Sequence, residues 1–181
     1  MKLQLDLTAF PYTENWTEAP HSPVIFLTYL HRTPPHIAMV FNNHYHSYDL
    51  QKFDTKISLH KVLNFFDKKN EPVLGIVMKK HPVFSIQHLE EIYSLWKPNN
   101  GNLSTCLSPL LEFTNLFYPI SSDKNFRPNI PEFLNLIKQA SYIDKIIFHK
   151  FNKPLPMIEF ENYHPAHTQN LLEKYHVPER K

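Results

Sequence analysis

The sequence predicts an α+β domain, and two changes of pattern along the chain carry that prediction. In the first half, short alternating apolar and polar runs lie between turn residues, which is how strands read. In the second half, apolar residues recur at i, i+3, i+4 and i+7, which is how one buried helix face reads. A third observation narrows the class. The 181 residues include only two glycines, Gly75 and Gly101, against sixteen prolines. Phosphate-cradling loops and strained nucleophile elbows both need glycine for a tight turn or close backbone approach, so neither is expected.

Within residues 1–23, the alternation of Leu3, Leu5 and Leu7 predicts an edge strand followed by a proline-bearing arm. The β-branched and aromatic content of residues 23–30 predicts a buried strand, and residues 31–35 a turn. Two alternating runs then flank Asn42 and Asn43, residues that tolerate the left-handed conformation of tight hairpin turns. A two-residue turn pairs Phe41 with His44, Val40 with Tyr45, Ala38 with Ser47 and His36 with Asp49. His36, Ala38, Val40, Tyr45, Ser47 and Asp49 then share one face. A three-residue turn would instead bring His46 or Tyr48 to the His36 side. Residues 59–66 and 73–80 read as another strand pair joined through 67–72, giving about five strands in the first half.

After Ser85, a candidate N-cap, Ile86, Leu89, Ile92, Tyr93 and Trp96 fall at helical spacing, and Pro98 ends that helix. Leu107, Leu110, Leu111, Thr114, Phe117 and Tyr118 trace a second stripe, stopped by Pro119. Asn129, Pro131 and Glu132 supply a cap, an early proline and a first-turn acid for a helix through Ala140. Residues 142–151 and 156–161 read as strands, and 168–175 as a short amphipathic helix. The expected organisation is one domain over residues 1–165, with a tail at 166–181.

The net charge is +2 and the basic residues are scattered, so a nucleic-acid partner is not expected. Apolar runs at 37–41 and 73–78 are too short to span a bilayer, and residues 1–20 lack an unbroken apolar core. The expectation is a cytoplasmic protein without a membrane span. Cys106 is the single cysteine, which rules out an internal disulfide or a thiolate zinc cluster. It stands at the threshold of a strongly patterned helix, where the positive end of the dipole favours thiolate and backbone N–H groups are natural oxyanion donors. A small buried apolar residue is the other fate of a free cysteine. A His36–Asp49 pair would orient an imidazole as a general base or simply close a sheet edge. His44 and His46 have the alternate spacing of some metal sites, but no carboxylate or cysteine joins them predictably, so a solvated edge is expected.

A cysteine opening a helix, with a histidine on a strand pair elsewhere, is the pattern of papain-like hydrolases. The order here runs from the apolar strand at 24–30 to the His36-led strand and its Asn42–Asn43 turn, then further strands, the helix at 85–96 and Thr105-Cys106-Leu107. Over residues 23–120 this resembles the circularly permuted NlpC/P60 (permuted papain-like) group, which includes lecithin:retinol acyltransferase-like and PPPDE deubiquitinase-like proteins. Ala38 stands where the group has glycine, and Thr105 where many members have asparagine. The resemblance implies an antiparallel sheet or half-barrel against the Cys106 helix, with His strands at 23–80, the Cys helix at about 105–118 and further elements at 130–161. It implies a thiol hydrolase or acyltransferase acting on an amide, ester or thioester in a peptide, lipid or acyl conjugate, with no cofactor. Cys106 would be nucleophile and His36 base, with Asp49, or alternatively His46, holding the imidazole. A catalytically degenerate module of the same fold and a metal site centred on His44 and His46 are the alternatives.

Overall fold

Strand β3 (Val24–Thr28) is buried at every position, as a run of Val, Ile, Phe, Leu and Thr demands when both faces of a strand are covered. It forms the middle of a seven-stranded sheet in this computed structural model, which describes residues 2–18, 21–48, 53–96, 105–121, 127–161 and 163. On one side β3 pairs antiparallel with β4 (His36–Phe41), which pairs with β5 (His44–Tyr48) and then β6 (Phe53–Ser58). On the other side β3 pairs with β7 (Val73–Met78), and β7 with β8 (Ile143–His149). A two-residue strand, β2 (Tyr12–Thr13), runs parallel to β8 at the far edge, so the sheet is mixed. A separate antiparallel ribbon joins β1 (Lys2–Asp6) to β9 (Met157–Glu161).

The two faces of the sheet bury different clusters. On one face Val24, Phe26, Ala38, Val40, Tyr45 and Ile147 pack with Leu59 and Phe66 of helix α1 (Leu59–Lys68). The other face buries Ile25, Ile37, Met39 and Ile76 beneath helices α2 (Ile86–Leu95), α3 (Ser108–Phe117) and α4 (Ile130–Gln139), together with Leu5 and Ile158 of the ribbon. The α+β class follows from this mixed sheet and its four helices among the described residues.

The hairpin forms with the two-residue turn. Asn42 and Asn43 take φ of 48° and 61°, and Phe41 pairs with His44, Val40 with Tyr45 and Met39 with His46. The expected strand over residues 59–66 is a helix instead. Leu59, Val62, Leu63 and Phe66 sit at i, i+3, i+4 and i+7, and in α1 that stripe lies against the sheet. The strand at 73–78 consequently pairs with β3 and β8, not with residues 59–66. Strand β6 had no sequence counterpart, because a bulge opposite His46 and the left-handed Lys56 (φ 59°) break its alternation.

Gly75 is needed where it stands. The Trp16 ring crosses β7 there, and a Cβ on residue 75 would lie 2.7 Å from Cη2 of Trp16. At the N-terminus of α4 the Asn129 side chain accepts from the Glu132 N–H at 2.9 Å, and Glu132 accepts from the Asn129 N–H at 2.9 Å. At α2, His88 Nδ1 accepts from the Ser85 N–H at 3.2 Å and lies 3.0 Å from Ser85 Oγ. The expected helix at 168–175 and tail at 166–181 lie outside the described residues.

Candidate functional site

His36 opens β4, half-buried, directly across from Thr28 of β3. Strand alternation turns its ring to the α1 side of the sheet, the side of Ala38 and Val40. There Nε2 lies 2.9 Å from Ser47 Oγ and 3.2 Å from Tyr45 Oη. Both hydroxyls come from β5, and both side chains are buried. Thr28 is fully buried on the same face, and its Oγ1 has no hydrogen-bond partner. Ser47 was within reach of the sequence, since the two-residue turn already sets it on the His36 face. Asp49, the expected partner, lies outside the described residues.

Cys106 stands just before α3, half-buried. Thr105 caps the turn that carries it. The Thr105 Oγ1 accepts from Leu107 N–H at 3.3 Å, the Thr105 carbonyl accepts from Ser108 N–H at 3.0 Å, and Ser108 Oγ accepts from Thr105 N–H at 3.0 Å. Leu107 has helical dihedrals and is the N-cap of α3, so Cys106 lies one residue outside a helix whose C-cap is Tyr118. It packs against the α2–α3–α4 core. Two tyrosine hydroxyls lie within electrostatic reach of it. Burial pushes the Tyr93 hydroxyl well above its ordinary value, and Tyr45 and Cys106 add to the shift. Burial likewise raises Tyr163, whose Oη accepts from Ile130 N–H at 3.0 Å, with Cys106 adding to it.

The structure does not bring Cys106 and His36 together. Ile37, Met39 and Phe41 face the helix layer that holds Cys106, whereas His36 faces the α1 layer, so the sheet itself stands between thiol and imidazole. Neither element is misplaced locally. The two sit on opposite sides of one strand.

His46, the alternative residue, does lie on the Cys106 side. It is fully buried opposite Met39, with its ring 5.7 Å from that of Tyr93. Neither ring nitrogen has a hydrogen-bond partner, nor does Tyr93 Oη. Burial lowers the His46 pKa from 6.5 to about 4; Glu90 opposes the shift, while His44 and Lys56 reinforce it. His46 is therefore a neutral imidazole at pH 7. His44, two residues earlier, is exposed. Among the described residues no group of three or more His, Cys, Asp or Glu could hold a metal ion, and no helix is long and apolar enough to cross a membrane.

Comparison with known proteins finds no match to a protein-family model, to a curated protein or to a solved structure.

Proposed function

We propose that the chain serves as a binding module, a catalytically degenerate relative of the papain-like group, rather than as a thiol enzyme. One observation carries this reading: His36 Nε2 is engaged by Ser47 and Tyr45 on the sheet face opposite Cys106. A general base must lie within hydrogen-bond reach of the proton it takes, directly or through one water, and a buried sheet blocks that path. The hydrogen bonds to His36 tie β4 to β5 and fix the hairpin register, which is structural work.

The thiol hydrolase or acyltransferase reading keeps one observation in its favour. Cys106 sits half-buried in a hydrogen-bonded turn directly before α3, near a helix N-terminus, which favours thiolate. In that reading His46, on the same side of the sheet, would have to replace His36 as proton acceptor.

The test is Cys106 alkylation by iodoacetamide as a function of pH, run beside turnover of a nitrophenyl ester, a thioester and a peptide amide. Under the module reading, His36→Ala leaves the alkylation profile where it was, and no acyl substrate is turned over in a Cys106-dependent way. Turnover that disappears in Cys106→Ser would overturn it.

A further inference from the structure

Three connections meet at one end of the sheet: the turn after β3, the turn between α1 and β7, and the loop between β8 and β9. Between them runs an open groove of about 610 Å³, within the size range of ligand sites. Its apolar lining comes from Leu30, Phe151 and Leu155. Lys150 and Lys153 border it, and neither has an ion-pair partner among the described residues. The one acidic side chain in the lining, Glu159, is already matched: Lys2 Nζ donates to it at 2.9 Å and Gln4 Nε2 at 3.2 Å. The charges left for an occupant to meet are those of the two lysines.

The third border is β9, which contributes Met157, Ile158 and Glu159. Successive strand residues point to opposite faces. A groove lined by three in a row runs along the edge of the strand, where backbone N–H and C=O groups are presented, and not across a face. Among the described residues β9 pairs only with β1, leaving its other edge open to a partner strand.

We propose that this groove receives an extended acidic segment of a partner polypeptide, which adds to β9 as the third strand of the β1–β9 ribbon and sets its carboxylates against Lys150 and Lys153. This deepens the module reading above and rests on it for the chain's role. Main-chain hydrogen bonds to β9 would supply affinity, the apolar floor would take alternate side chains, and the lysines would select for negative charge.

The probe is a fluorescently labelled, end-capped peptide of alternating Glu and Val, with two controls: the same peptide N-methylated at alternate amides, and a Lys–Val counterpart. The Glu–Val peptide should bind the full chain, slow amide exchange along β9 and weaken with added salt. The double variant Lys150→Glu, Lys153→Glu should weaken it roughly tenfold, the sum of two surface pairs and the repulsion that replaces them. Both lysines are at the surface, so the variant is expected to fold, which circular dichroism checks. Binding that survives N-methylation or the double charge reversal would overturn the proposal, and so would failure of the Glu–Val peptide to bind or equal binding of the Lys–Val peptide. Cys106-dependent turnover, by contrast, would remove the module reading and leave the peptide result standing.

Discussion

His46 makes the protein acid-sensitive by an amount that its burial sets. The imidazole is fully buried between β4, β6 and α2, and both nitrogens lack partners. Groups facing it are Glu90 of α2, which pairs with Lys56 of β6 at 2.9 Å, and His44 on its own strand. The folded-state pKa of about 4 lies below the ordinary 6.5, so the unfolded chain binds this proton more readily. The penalty is absent above pH 6.5, grows as pH falls toward 4 and is complete below that, where the gap corresponds to about 3 kcal/mol. His46→Leu, close in volume and without ring nitrogens, removes the titration and leaves no orphaned donor. Urea unfolding at pH about 7 and about 4 should therefore show wild type losing about 3 kcal/mol more than the variant on acidification. At neutral pH the variant should be at least as stable as wild type. Parallel losses in the two proteins would mean that His46 titrates normally and that the site is wetter than its burial implies.

Two further substitutions test the packing. Gly75→Ala should cost about 1–3 kcal/mol, because the new Cβ meets the Trp16 ring at 2.7 Å and Ile147 Cβ at 3.1 Å, both within the α1-side core. A urea midpoint equal to wild type would show that Trp16 does not lie across β7. Asn129→Ala removes the side-chain half of the α4 capping box and its bond to the Tyr163 carbonyl, for an expected loss of about 1 kcal/mol. Asn129→Asp should recover the cap, and an alanine variant of full stability would refute the cap's role.

Features that depend on neighbours in sequence were readable in advance. The Asn42–Asn43 turn gave the register of β4 and β5, because few residues tolerate two left-handed positions in succession. Asn129, Pro131 and Glu132 announced the start of α4. Residues 59–66 form α1 and not the expected strand, because a short apolar run suits either periodicity until its i, i+3, i+4, i+7 spacing is weighed. The candidate site depends on a different level of structure. His36 was expected on a strand and is there, whereas Cys106, expected in a first helical turn, lies just before the helix. Which side of the sheet α3 would cover is a matter of chain path, and nothing local to residues 105–118 records it. Tyr93 gave no signal beyond its place in an apolar stripe, yet its ring lies 5.7 Å from that of His46 and its hydroxyl within electrostatic reach of Cys106.

The pairing of β1 with β9 has a consequence for how the molecule comes into being. Its ion pair joins Lys2 to Glu159, positions 157 residues apart, and Leu5 enters the core only opposite Ile158. On a translating ribosome, β1 is extruded long before its partner exists. Closing so long a loop is entropically costly and slow, so the ribbon is expected to zip up after the seven-stranded sheet has formed. Until then the strand's apolar residues must wait, solvated or held by a chaperone, and a nascent chain halted before residue 157 would keep them exposed.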